Sequence, residues 1–175
     1  MVPGGGSFAD EVRRADRRFR LGDSTAHWLA ILAMDQYGHL LAGLAPGAAL
    51  VRSRRELAPG RLNVLLPSAW LRRADPLPHS WDATSDSIAA WIARALGARR
   101  LMLVKHEDGF IGPDRGPGGI PRHVREIVLD AFAGAVDPYF ARALDPAIGC
   151  WIARGHLPHR IARLIETGRT HEAEV

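Results

Sequence analysis

The chain has 175 residues, 47% of them hydrophobic, enough to bury a core and to form one domain over residues 1–175. No apolar run approaches the ~20 residues that cross a bilayer, no charged and apolar leader precedes a small-residue cleavage site, and the single cysteine, Cys150, excludes an internal disulfide and fits a reducing, cytoplasmic setting. The net charge of +4 is spread among acids, as in Glu11-Val12-Arg13-Arg14-Ala15-Asp16-Arg17-Arg18, without a basic tail or a nucleic-acid-binding motif, so it reads as a solvated helix face.

The first element is a glycine turn, Gly4-Gly5-Gly6, running into a helix predicted over Ser7 to Arg20. Glycines let backbone N–H groups approach a ligand without Cβ obstruction, and a helix start adds its positive dipole end, which is the layout of a phosphate site. The same run also reads as a flexible lead-in near a terminus. Only Met1, Val2 and Pro3 precede it, so a strand feeding this turn must pair within very few residues, or the chain begins partway through a fold.

A second helix is predicted over Ser24 to Leu44, apolar nearly all round in its middle and therefore buried in a core or against another subunit. Its polar members His27, Asp35 and Gln36 then need partners, either protein groups or a substrate. Strands are expected at Ala48 to Arg52 and Leu62 to Leu66, with turns at Ala58-Pro59-Gly60 and over Asp75 to Pro78.

The next helix, Thr84 to Leu96, carries an apolar stripe at Ile88, Trp91, Ile92, Ala95 and Leu96. Its first turn, Asp82-Ala83-Thr84-Ser85-Asp86-Ser87, holds more hydroxyls and carboxylates than N-capping needs, and a helix start dressed this way also suits a hydroxylated or anionic ligand. The strand Leu101 to Lys105 follows and ends on the only lysine beside 22 arginines. The carboxyl end of a parallel strand is where ligands bind, and lysine there acts as a point charge toward phosphate; the alternative is a side chain leaving the sheet for water.

Beyond it come a mobile loop over Gly112 to Gly119, a helix over Pro121 to Ala133, a strand over Ala147 to Ala153 and a helix over Pro158 to Glu166. The alternation of strands and helices predicts an α/β fold, a mostly parallel sheet with helices on both faces. A Walker A motif, protein-kinase signatures and a Gly-x-Ser-x-Gly elbow are absent, and His156 and His159 lack neighbouring cysteines or carboxylates to complete a zinc set, so no metal ligands are assigned.

The stretches Val2 to Arg13, Ala26 to Gly38, Ser80 to Trp91, Leu103 to Gly109 and Val136-Asp137-Pro138-Tyr139-Phe140 together resemble the amino acid kinase superfamily, the three-layer αβα fold of carbamate, acetylglutamate and bacterial uridylate kinases. Within it they resemble the small-molecule phosphate kinases of methanofuran synthesis and their relatives that make a methylofuran- or methanopterin-type carrier of one-carbon units. The resemblance implies transfer of a phosphoryl group from ATP, with Mg2+, to a small phosphorylated or amine-bearing acceptor such as an aminomethyl-furan phosphate. It implies that Gly4, Gly5 and Gly6 hold the acceptor or the transferring phosphoryl, that Thr84, Ser85 and the catalytic Asp86 bind and orient the acceptor, and that Lys105 is catalytic and lies with Asp108 and Gly109 on the nucleotide side. Asp137, Tyr139 and Phe140 would border the adenine pocket. His27, Asp35 and Gln36 are candidates for acceptor selectivity, Asp35 as partner of an amine.

Superfamily members carry a strand, a lysine, a glycine-rich loop and a helix before the equivalent of Val2, so the resemblance describes an N-terminally shortened relative. A missing central strand leaves open sheet edges, which predicts a homodimer or higher homo-oligomer. The second functional class is a non-catalytic nucleotide- or phosphate-binding module with a regulatory or scaffolding role.

Overall fold

The first helix, α1, spans Gly6–Phe19 and turns one side to α2, Asp23–Leu44, through Phe8, Ala9, Val12 and Ala15. The i, i+1, i+4, i+7 spacing puts these side chains on one face. α1 stops at Arg20, which takes the left-handed conformation (φ 50°) and donates its N–H to the Asp16 carbonyl. This computed structural model describes residues 1–105, 136–155 and 158–167. The loop at Gly112 to Gly119, the helix over Pro121 to Ala133, and the site residues Asp108 and Gly109 lie outside the described residues.

α2 buries His27, Ile31, Met34 and Gly38, a stripe at i, i+4, i+7 and i+11. Its other side is less enclosed than the apolar sequence suggests: Leu29, Leu32, Leu40 and Leu44 are exposed, Leu44 by 73%. Gly38 lets the helix backbone lie close to β2, since a Cβ there would stand 2.9 Å from Leu66 Cδ2 and 3.4 Å from Pro3 Cγ.

Two short parallel pairs supply the strands. β1 (Ala49–Val51) runs beside β2 (Asn63–Leu65) with Leu50 opposite Val64, and β3 (Arg100–Lys105) beside β4 (Gly149–Arg154) with Leu101 opposite Cys150. Met1 flanks β2 on the side away from β1: its amino group donates to the Asn63 carbonyl at 2.5 Å, and its carbonyl accepts the Leu65 N–H at 2.9 Å. That is parallel pairing about Val64, so the stretch ahead of the glycine turn pairs within a single residue. Among the described residues the strands form two separate pairs rather than one continuous sheet, so the fold is α/β with parallel strands.

Between the pairs lie α3 (Ser68–Ala74) and α4 (Ser85–Leu96). α4 ends on Gly97 at φ 66°, where the Ala98 N–H returns to the Ala93 carbonyl, a glycine-terminated cap. Ile88, Ile92 and Ala93 of α4 join Ile31, Val51, Leu71, Leu103 and the fully buried Phe140 in one core. Phe140 begins α5 (Phe140–Ala143), and α6 (Pro158–Thr167) follows β4. No described helix is long and apolar enough to cross a membrane.

Candidate functional site

Lys105 ends β3 and Asp86 sits in the first turn of α4, so strand end and helix start meet. The Lys105 Nζ donates to Asp86 Oδ2 at 2.5 Å, and the Asp137 N–H reaches the same oxygen at 3.3 Å. Asp86 is only 9% exposed. Burial pushes its carboxyl above the usual carboxylate range; Lys105 opposes that shift, and the neighbouring Asp137 carboxylate adds to it. Asp86 is therefore a carboxyl whose burial favours the protonated form and whose contact with one ammonium favours the ionised form.

The Asp137 carboxylate has a different task. It accepts the Thr84 N–H (2.8 Å), the Thr84 hydroxyl (2.9 Å), the Ser87 N–H (3.0 Å) and the Ser87 hydroxyl. No side chain of the helix's own N-cap, Thr84, caps α4, so a residue far along the chain satisfies those donors. The polar composition of this turn is thus partly structural.

An open cavity of about 860 Å3 runs alongside. It is lined by Gly4, Gly5 and Gly6, by Thr84, Ser85 and Asp86, by Lys105, and by His27 on the α2 wall. Gly4 and Ser85 face each other closely, since a Cβ on Gly4 would lie 3.7 Å from Ser85 Oγ. α1 begins at this lining without a side-chain cap and without an acidic residue in its first turn, so no carboxylate of that turn competes for its first N–H groups. One end of the cavity therefore combines backbone donors, a hydroxyl and an ammonium–carboxylate pair, an arrangement able to receive a polyanion.

Five sequence candidates, Asp35, Gln36, Asp137, Tyr139 and Phe140, are not among the cavity-lining residues. Asp35 accepts the Ser68 N–H at 3.1 Å and the Ser68 hydroxyl, so it holds the start of α3 and is not among the cavity-lining residues. Phe140 is in the core, and Tyr139, whose N–H donates to the Asp82 carbonyl, packs at its edge. Neither lines the cavity, and Asp137 reaches Asp86 only through its backbone N–H.

The cavity also has lining residues that sequence reasoning missed. Asp10 and Arg13 lie on the cavity side of α1 and pair with each other at 2.9 Å. Arg13 covers the Trp81 ring at 4.9 Å, the Trp81 indole N–H donates to Asp16 at 2.8 Å, and Tyr37, beside Gly6, and Asp23 also line the cavity. The available signal was their position: Asp10 and Arg13 follow Gly6 by four and seven residues, on the helix face that the turn itself defines. Cys150, beside Leu101, has its thiol pushed up to about 12 by burial and by Asp86, which disfavours the thiolate.

No family model matches the chain. It is 31% identical over 172 residues to the [5-(aminomethyl)furan-3-yl]methyl phosphate kinase of Methanocaldococcus jannaschii, an alignment covering 95% of this chain and 78% of the relative. The match covers nearly the whole chain, and the chain belongs to the family of that phosphate kinase.

Proposed function

We propose that the protein is a small-molecule kinase of the amino acid kinase superfamily, transferring the γ-phosphoryl group of ATP to the phosphate of an aminomethyl-furan phosphate in methanofuran-type cofactor synthesis. The observation that carries this reading is the convergence of Gly4 to Gly6, Ser85 and the Lys105–Asp86 pair on one cavity. The kinase relative supports the reaction class and, at 31% identity, the acceptor. Neither the geometry nor the relative favours the non-catalytic module.

In this reading an acceptor phosphate oxygen bonds to the γ-phosphorus while the bond to the ADP oxygen breaks, leaving a diphosphate and ADP. Catalysis of this kind is positioning and charge compensation. The backbone N–H groups of the glycine turn and the Ser85 hydroxyl hold the phosphates in line, and the Lys105 ammonium offsets charge on the moving group. Asp86 orients that ammonium. Asp10 or Asp23, in place of Asp35, receives the acceptor's ammonium, and Trp81 flanks the furan ring.

A kinase of this family implies Mg2+, a hard ion that takes carboxylate, phosphate and water oxygens. The carboxylates at the Lys105 end do not fit direct coordination, because Asp86 is engaged by Lys105 and Asp137 is consumed by four hydrogen bonds. Self-association belongs to the same reading and is supported by the exposed leucines of α2.

The test is incubation of the purified chain with ATP, MgCl2 and synthetic [5-(aminomethyl)furan-3-yl]methyl phosphate, followed by phosphorus NMR. A new diphosphate doublet with equimolar ADP is expected. ADP without diphosphate, or no turnover with ATP bound, overturns the acceptor and the activity respectively.

A further inference from the structure

Behind the α2 wall of the cavity, three residues that are far apart in sequence meet. His27 lies in the second turn of α2, Asp75 directly follows α3, and His79 stands in the turn leading to α4. Each offers one ligand atom, and these atoms lie within 4.8 Å of one another. The His27 and His79 rings stack at 4.2 Å between centroids, and His79 Nε2 is 2.9 Å from Asp75 Oδ1.

The supporting groups are those a metal centre uses. A metal-bound imidazole holds its orientation by donating its other ring N–H to a fixed acceptor. His79 Nδ1 lies 2.8 Å from Ser24 Oγ, a hydroxyl that can accept the Nδ1–H once Nε2 gives up its contact with Asp75 to a metal. Asp75 has left-handed backbone (φ 38°) with its N–H returned to the Leu71 carbonyl, so the carboxylate is held at a fixed helix end. His27 is 8% exposed, and among the described residues no hydrogen bond reaches its ring.

We propose that His27, Asp75 and His79 form a binding site for a divalent zinc-class ion, with a fourth position for water. Two imidazoles and one carboxylate suit Zn2+ and disfavour Mg2+. Donor atoms around a tetrahedral zinc stand about 3.4 Å apart for bonds of about 2.1 Å, so small side-chain rotations, chiefly of the stacked His27 ring, close the set. Local spacing hides such a site, because its donors come from two helix ends and a turn. The ion would tie α2, whose Asp23, Ala26 and His27 line the cavity, to the turn whose Ser80 and Trp81 also line it. This inference stands independently of the kinase reading.

The experiment uses the full chain without an affinity tag, stripped with EDTA and titrated with ZnCl2 by calorimetry, with Co2+ absorption reporting the ligand field. One stoichiometric site is expected, unaffected by a thousandfold excess of Mg2+, and tetrahedral Co2+ bands should appear. Asp75→Asn, a change at an exposed carboxylate, should weaken Zn2+ at least tenfold, and His27→Gln/His79→Gln should abolish the site, while His159→Gln leaves it intact. Absence of the site in the unaltered chain, or Zn2+ binding that Asp75→Asn and the double variant leave unchanged, overturns the proposal.

Discussion

Asp137 accepts both the N–H and the hydroxyl of Ser87, a residue with no solvent exposure, from fifty positions further along the chain. The same carboxylate serves Thr84, so one side chain closes the whole start of α4. Asp137→Ala leaves a buried hydroxyl and two helix N–H groups without an acceptor. The loss of a cap costs about 1 kcal/mol and a stranded buried hydroxyl about 1–3 kcal/mol, so a drop of about 2–4 kcal/mol in urea unfolding is expected. Asp137→Asn, which keeps one acceptor oxygen, should lose about half as much.

Replacing Lys105 by Met removes the charge that opposes the upward shift of the Asp86 carboxyl. A partly buried carboxylate left alone costs about 2–3 kcal/mol at pH 7. The pH dependence fixes the cause. Because burial raises Asp86 above its ordinary 3.8, the folded chain binds the proton more tightly than the unfolded chain, and stability falls as pH rises from 3.8 through the folded value. Lys105→Met should deepen that fall and carry it to higher pH, and Asp86→Asn/Lys105→Met should abolish it. Urea midpoints between pH 4 and 8 check this, and kinase turnover of Lys105→Met should fall at least a hundredfold.

The glycine turn separates a binding role from a folding role. Gly6 has φ +51° and a Cβ there would lie 2.5 Å from the Tyr37 ring, so Gly6→Ala should destabilise the chain by about 1–3 kcal/mol. A Cβ on Gly4 finds ordinary contact distance to Ser85, so Gly4→Ala should fold with an unchanged melting temperature. Its methyl group nonetheless enters the space assigned to phosphate, and kcat/KM should drop at least tenfold. Full activity in Gly4→Ala would remove the turn from the site.

His27 makes the chain acid-sensitive. Its pKa falls from 6.5 to about 4 on folding, so between those values the unfolded chain binds more protons, and stability is lost as pH falls through that window. About 1–2 kcal/mol is expected between pH 6.5 and 4, the full shift being discounted for solvent at the ring edge. In His27→Gln the same titration should be flatter by that amount.

Most elements were legible because they are long and periodic: α1, α2 and α4 start and stop within a residue of the sequence reading, and the four strands within two. α3 was not, since its seven residues, bracketed by Pro67 and Pro76, bury only Leu71 and give no period to detect. The grouping of Gly4 to Gly6 with Ser85, Asp86 and Lys105 can be stated from the sequence because each sits at the end of a recognisable element. The duties of Asp35 and Asp137 cannot. Both carboxylates finish helices to which they have no local connection, and only the folded chain shows which donor a carboxylate meets.

Those remote carboxylates also order events during synthesis. α4 is fully translated well before Asp137, so its leading turn stays frayed on the ribosome until roughly fifty further residues have emerged, and the cavity floor that Ser85 and Asp86 provide is among the last parts of the molecule to set. α3 meets the opposite schedule: Asp35 is already outside when Ser68 arrives, and that helix can lock at once.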